Sequence, residues 1–194
     1  MMKLKQGSVI AATRTNSEFK KATESDVDII FDMSPDILTL SKKASLAHKM
    51  GKKIFIHLDF AKGIGKDKSG IEYAMSKGAD GIISTKGNII KAAKDVGITT
   101  VQRFFIIDSK SVDTSLESFE SSKADMVEIM PGIAVKAIGR IRSRISVPVI
   151  AGGLIEDTDE VRNAFLSGAT AVSTGRENIW NYRWQEDPNG EAEK

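Results

Sequence analysis

The chain contains no cysteine, only 4 prolines among 194 residues, 2 tryptophans and 2 tyrosines. Missing thiols exclude a disulfide scaffold, a cysteine nucleophile and any zinc site built on thiolates, and they fit a reducing cytoplasm. Charge of one sign is also missing. The 28 Lys plus Arg face 26 Asp plus Glu, for a formal +2, so the strong single-sign field of a dedicated nucleic-acid binder is not there. No stretch approaches the roughly 18 apolar residues of a membrane span, and Met1–Gly7 lacks the apolar run of a secretory signal. A soluble cytoplasmic protein with no membrane partner is expected. With 41% hydrophobic residues the chain can build one sizeable core, and it is too short for two full-sized domains.

What is present is a repeating alternation. Short β-branched runs bounded by turn residues take turns with amphipathic helical stretches. The runs predict strands near Val9–Ala12, Ile29–Phe31, Lys53–Leu58, Gly81–Ser84, Thr100–Ile106, Met126–Met130, Val149–Ala151 and Ala171–Ser173. Helices are predicted near Glu18–Thr23, Ile37–Met50, Lys68–Lys77, Ile89–Val96, Val112–Glu120, Val135–Arg144, Thr158–Ser167 and, as a short terminal one, Glu177–Tyr182. The first of these reads as partly irregular. Eight βα units imply an α/β fold, a compact (β/α)8 TIM-type barrel over residues 1–184, and the polar segment 185–194 reads as a disordered tail. An open doubly wound sheet is the competing arrangement. Its glycine fingerprint is missing, because Gly63 and Gly65 are followed by a third glycine only at Gly70.

An internal echo supports the count of units. Asp26-Val-Asp-Ile-Ile30, Gly78-Ala-Asp-Gly-Ile82, Lys123-Ala-Asp-Met-Val127 and Gly168-Ala-Thr-Ala-Val172 introduce the second, fourth, sixth and eighth strands. In three of the four a Gly or Lys stops the helix and a small Ala lets the turn pack tightly.

Barrel chemistry sits at the C-terminal ends of the strands, so side-chain parity there matters. On the third strand Ile54, Ile56 and Leu58 share the helix-facing side, leaving Phe55, His57 and Asp59 inward. On the sixth, Val127 and Ile129 point outward, and Met126, Glu128 and Met130 inward. Arg103, Asp32, Arg14 and Lys86 add charge to the same rim. Asp59, Arg103 and Glu128 suit either ligand contact or a mutually satisfied ion network. His57 reads as a satisfied interior histidine, His48 has no obvious partner, and no metal site is expected.

The last two strands carry the sharpest signal. Val149-Ile-Ala-Gly-Gly-Leu154 ends in a glycine pair, and Ala171-Val-Ser-Thr-Gly-Arg-Glu-Asn-Ile-Trp180 ends in a small polar turn before a short helix. Backbone N–H groups of two such loops and a helix N-terminus make a phosphate cradle. Gly152, Gly153, Thr174 and Gly175 are therefore the candidate phosphate site, with Asp59, Arg103, Glu128 and Lys86 facing the rest of a small phosphorylated ligand.

A family resemblance runs from about Gly7 to Trp180. Ala12-Thr-Arg-Thr15, Phe55-Ile-His-Leu-Asp59 with Gly63-Ile-Gly-Lys-Asp67, Gly78-Ala-Asp-Gly-Ile-Ile-Ser-Thr-Lys86, Gln102-Arg-Phe-Phe-Ile-Ile-Asp-Ser109, Glu128-Ile-Met-Pro-Gly132, Pro148-Val-Ile-Ala-Gly-Gly-Leu154 and Ala171-Val-Ser-Thr174 together resemble the glycerol-3-phosphate-responsive antiterminators of Gram-positive bacteria. The resemblance implies a regulator, not an enzyme, that uses glycerol 3-phosphate as effector and no other cofactor. It also implies binding to leader mRNA, with relief of termination upstream of glycerol utilisation genes such as that for glycerol-3-phosphate dehydrogenase. The tail beyond Trp180 matches no motif of that family.

The residues themselves say little about RNA. No RNP-type aromatic motif, GXXG clamp or arginine-rich tail is present, so contact would fall to the outer surface. Lys136, Arg140 and Arg144 recur every four residues as one stripe, and Lys42, Lys43, Lys49, Lys52 and Lys53 form a second cluster; either also reads as a solvated helix face. A homodimer would double such a weak basic surface. The competing reading is a lyase or isomerase on a phosphorylated triose, with Glu128 or Asp59 as general base and His57 as acid or electrophile. A Schiff-base aldolase would need an interior lysine, for which only Lys86 at the rim offers itself.

Overall fold

The computed structural model describes residues 4–184; the tail expected over 185–194 lies outside the described residues. Eight strands, β1 (Ser8–Thr13), β2 (Ile29–Asp32), β3 (Lys53–His57), β4 (Gly81–Ser84), β5 (Thr99–Phe105), β6 (Met126–Met130), β7 (Val149–Gly152) and β8 (Ala171–Thr174), form a closed parallel barrel in chain order. The crossovers are α1 (Asn16–Glu24), α2 (Leu40–Lys49), α3 (Lys68–Ser76), α4 (Gly87–Val96), α5 (Ser109–Ser122), α6 (Val135–Arg142) and α7 (Thr158–Leu166). β1 closes the ring on β8, with Val9 opposite Val172 and Ala11 opposite Thr174. All eight predicted strands are present, and closure rules out the open sheet.

Alternation along each strand divides the apolar residues into two layers, as parity predicts. Ile10, Phe31, Phe55, Ile83, Val101, Met126 and Ile150 fill the barrel interior. Ile54, Ile56, Leu58, Val127 and Ile129 belong instead to the layer beneath the helices. Strands buried on both faces read as nearly continuous apolar runs, which is the pattern found here. Phe31 and Phe55 stack with ring centroids 5.8 Å apart. A Cβ on Gly81 would collide with the Phe55 ring, so that glycine makes room for an aromatic at the barrel's centre.

The helix starts follow from capping. Asp67, Asp108 and Asp157 accept from the backbone N–H of Gly70, Ser111 and Glu160 at 2.8–2.9 Å, and Thr15 forms a capping box with Glu18; each satisfies an otherwise orphaned donor. Four expectations need correction. α1 is regular rather than partly irregular because of its capping box. α2 begins at Leu40, not Ile37, because Ile37 N–H is held by Lys62 O at 3.0 Å. α6 ends at Arg142, so Arg144 lies beyond the helix. The terminal helix is a single 3-10 turn, Glu177–Ile179, too short to present a helix dipole.

The echoed segments meet at the N-terminal end of the barrel. Asp80 accepts from Ile54 N–H at 2.9 Å and from Lys53 Nζ at 2.8 Å, and contacts His48 at 2.8 Å. Asp125 accepts from Thr100 N–H at 2.9 Å, Thr100 Oγ1 at 2.8 Å and Lys94 Nζ at 2.6 Å. Each carboxylate pins the start of the strand before its own. Burial alone would raise both carboxyls, but these hydrogen bonds outweigh it and hold them below the usual Asp range.

Candidate functional site

At the C-terminal ends of β1, β5, β6, β7 and β8 lies a cavity of about 310 Å³. Its floor is an ion pair brought together by the β5–β6 register, which sets Arg103 opposite Glu128. Arg103 Nε donates to Glu128 Oε2 at 2.6 Å, and Ser173 Oγ donates to Glu128 Oε1 at 2.5 Å. Both charges are almost fully buried, where an isolated ion would be costly and a hydrogen-bonded pair is tolerated. Arg103 Nη2 reaches only the Met33 sulfur, at 3.5 Å, so the guanidinium retains donors for an anion in the cavity.

The wall is made by the two glycine-bearing loops. Gly153 has φ 76°, a left-handed conformation that glycine adopts without strain, and a Cβ there would meet the Met130 methyl at 2.6 Å. Thr174 Oγ1 donates to Ile155 O at 2.8 Å and accepts from Arg176 N–H at 3.1 Å, tying the β7 and β8 loops together. Gly175 lies against Arg14, whose Nη1 would be 3.1 Å from a Cβ at that position. Arg176 pairs with Glu156 across the mouth. Among the described residues the Arg14 guanidinium has no carboxylate within 4 Å, while its backbone N–H donates to Glu18 Oε2 at 2.6 Å.

Of the residues singled out from sequence, Arg103, Glu128, Gly153, Thr174 and Gly175 line this cavity together. Gly152 stands behind it: a Cβ there would run into Glu128 Oε1 and Ser173 Oγ, so its bare Cα permits the floor to pack. Asp59 and Lys86 do not line the cavity. Asp59 turns instead to the next loop, accepting from Ser84 Oγ at 2.5 Å and from Thr85 N–H and Oγ1 at 2.8 Å. Burial would raise its carboxyl, yet these bonds hold it below the usual range. Lys86 is exposed at the start of α4. Arg176, Ser173, Met33 and Glu156 were not singled out, although the first two sit in the quoted β8 motif. Position at a strand exit is the signal that could have found them.

His57 corrects another expectation. It is fully buried, and no protein group hydrogen-bonds either ring nitrogen, so it is not a satisfied interior histidine. Burial first, and the nearby Arg103 charge second, lower its pKa to about 4. The ring is neutral at neutral pH, tilted against Phe60 with centroids 4.7 Å apart.

The basic clusters fare unequally. Lys43 is buried and paired with Asp32 at 2.8 Å, and Lys52 is spent on Ser25 O and Val27 O at 2.6 and 2.8 Å; neither is available at the surface. Lys53 is bound to Asp80, leaving Lys42 and Lys49 exposed. Lys136, Arg140 and Arg144 are exposed, with Arg140 3.7 Å from Asp113. Among the described residues no helix is long and apolar enough to cross a membrane.

Residues 9–180 match the model of a family described as glycerol-3-phosphate responsive antiterminator. The chain belongs to that family. Among solved structures, a glycerol uptake operon antiterminator regulatory protein from Listeria monocytogenes is 30% identical with a TM-score of 0.86, over 92% of this chain and 97% of that one. An antiterminator-related protein from Thermotoga maritima is 32% identical with a TM-score of 0.81, over 91% of this chain and 99% of that one. The Escherichia coli protein YgcP, whose own role is uncharacterized, is 35% identical over 91% of this chain and 93% of its own length. The matched span contains every cavity residue named above.

Proposed function

We propose that the chain is a transcription antiterminator that binds glycerol 3-phosphate in the cavity at the barrel's C-terminal end and, so loaded, binds the leader of a messenger RNA for glycerol utilisation, such as that of glycerol-3-phosphate dehydrogenase. The observation that carries the ligand reading is the set of three guanidiniums, from Arg14, Arg103 and Arg176, around a small cavity walled by Gly153, Thr174 and Gly175. Planar guanidiniums and glycine backbone suit a phosphate dianion. Glu128, a carboxylate on the same floor, supplies the acceptor that glycerol hydroxyls need. The phosphate lies by Arg14 and the glycine loops, and the hydroxyls lie toward Arg103 and Glu128.

The same geometry favours binding over turnover. Among the described residues no lysine lines the cavity, which leaves none of them as the amine for a Schiff base. Glu128 already accepts from Arg103 and Ser173, and Asp59 accepts three bonds elsewhere, so neither is poised as a general base. Labelled leader transcript titrated with the protein tests the proposal. Saturating glycerol 3-phosphate should tighten binding by about 5- to 150-fold, the usual range of allosteric coupling. Equal affinity with and without it overturns the proposal.

A further inference from the structure

We propose that a groove leading away from the ligand cavity, from Arg103 over Phe105 and Ile107 to Lys136 and Arg140, is the track on which a single-stranded RNA lies. This rests on the reading of the protein as an RNA-binding regulator, and it gives that reading a surface. Three cavities stand in line. The ligand cavity shares Arg103 with a second of about 490 Å³ that runs past Phe105 and Lys110. The second shares Ile107 and Asp108 with a third of about 500 Å³, which ends at Lys136 and Arg140 on α6.

The groove floor is apolar and uncovered: Phe105 is 56% exposed and Ile107 90% exposed. Its edges are cationic. Among the described residues Lys110 and Lys136 have no carboxylate within 4 Å, and the one acid in the floor, Asp108, has its carboxylate turned to cap Ser111 N–H at 2.8 Å. Among the described residues the carboxylates paired with cations of the track are Glu128, on the cavity side of Arg103, and Asp113, 3.7 Å from Arg140. An apolar and aromatic floor between unpaired cations fits unstacked bases, which lie flat on such side chains while their phosphates follow the positive edge. A rigid duplex hides its base faces and would leave Phe105 and Ile107 uncovered. The charge selects a polyanion over an apolar protein segment. Lys136 and Arg140 of the outer stripe become the far end of this track, whereas Arg144 lies past the end of the helix.

The arrangement also gives the small ligand a route to the RNA. Arg103 is a wall of both the ligand cavity and the groove, and it is held by one strong bond to Glu128 and a weak contact to Met33. A ligand whose hydroxyls engage Arg103 and Glu128 and draw the guanidinium toward the cavity resets the groove's near end, and linkage makes the effect reciprocal.

Anisotropy of a labelled single-stranded transcript of the protein's own operon leader tests the track, with glycerol 3-phosphate saturating and its affinity measured in parallel. Phe105→Ala/Ile107→Ser should weaken RNA binding at least tenfold with an unchanged salt dependence, because it removes stacking and no charge. Lys110→Ala/Lys136→Ala should weaken it and lower the salt slope by roughly 1.4, about 0.7 for each lost phosphate contact. Both should keep wild-type affinity for glycerol 3-phosphate, and Lys42→Ala/Lys49→Ala on α2 should keep wild-type RNA binding. Wild-type RNA affinity in both groove variants overturns the track while leaving the RNA reading intact; so does an equal loss in the α2 variant, or a duplex that competes as well as the single strand. If the unaltered protein binds no RNA, track and reading fall together.

Discussion

The two ends of the barrel are built from the same alternating units and spend their polar groups in opposite ways. At the N-terminal end Asp80 and Asp125 each gather a backbone N–H, a lysine and one further side-chain group, and Lys52 is consumed by two carbonyls. At the C-terminal end, among the described residues, the Arg14 guanidinium has no carboxylate partner, Arg103 is half used, and neither nitrogen of His57 is bonded to protein. The first arrangement pins strands; the second leaves the guanidiniums of Arg14 and Arg103 lining a cavity and a buried imidazole beside them without a protein partner. Stability at the bottom and binding at the top is the division of labour expected of this architecture, and here it is visible in which charges are satisfied.

The sharpest way to break that contrast is Arg103→Met. It leaves Glu128 buried without its cation, a change that typically costs about 3–5 kcal/mol, and it should also abolish glycerol 3-phosphate binding. Chemical denaturation and calorimetry together check this, and intact stability would show that the pair is not the tightly coupled floor described.

Acidification has the next largest effect. The folded pKa of His57, about 4, lies below the unfolded value of 6.5, so between these values the unfolded chain binds more protons. The stabilising contribution is therefore fully present above about pH 6.5 and is lost as pH falls toward 4. Urea unfolding should show about 2 kcal/mol less stability at pH 5 than at pH 7.5 from this group, and His57→Leu should remove that difference. A slope unchanged in the variant would mean that another group is responsible.

Asp125→Ala supplies the opposite arm. It should cost about 1.5 kcal/mol, the lower end of what a hydrogen bond to a charged group is worth, and should leave ligand affinity at the wild-type value. A loss of binding comparable to the loss of stability would join the two ends that the structure separates.

Much of this was legible in the sequence because a closed parallel barrel repeats one signal eight times. Lys53–Leu58 and Met126–Met130 needed only period-two parity to put His57 and Glu128 inward, and the glycine pair at Gly152-Gly153 marked the β7 exit. What was not legible depends on contacts between distant segments. Asp59 falls past the end of β3, in a 3-10 turn over Leu58–Phe60 where strand parity no longer holds, and Ser84 and Thr85 capture it from the next loop. Lys43 has the spacing of a surface lysine but reaches back to Asp32 across eleven residues of chain. Arg14 was placed at a strand end, but only closure of β1 on β8 brings it beside Gly175. The groove was missed because Phe105 reads as the buried end of an apolar strand, whereas it is the exposed last residue of β5, and Ile107 follows it in the loop.

The central claim, that the exits of β1, β5, β6, β7 and β8 form one phosphate-ligand site, is tested most directly by calorimetric titration of glycerol 3-phosphate into the wild-type protein and Arg14→Ala side by side. The Arg14 side chain is exposed and, among the described residues, carries no ion pair, so its removal should leave stability within about 0.5 kcal/mol. One molecule bound per wild-type chain, with affinity at least tenfold weaker in the variant, is the expected result. No heat of binding to the wild type with a stronger response to a different phosphate ester, or identical affinity in Arg14→Ala, would contradict it.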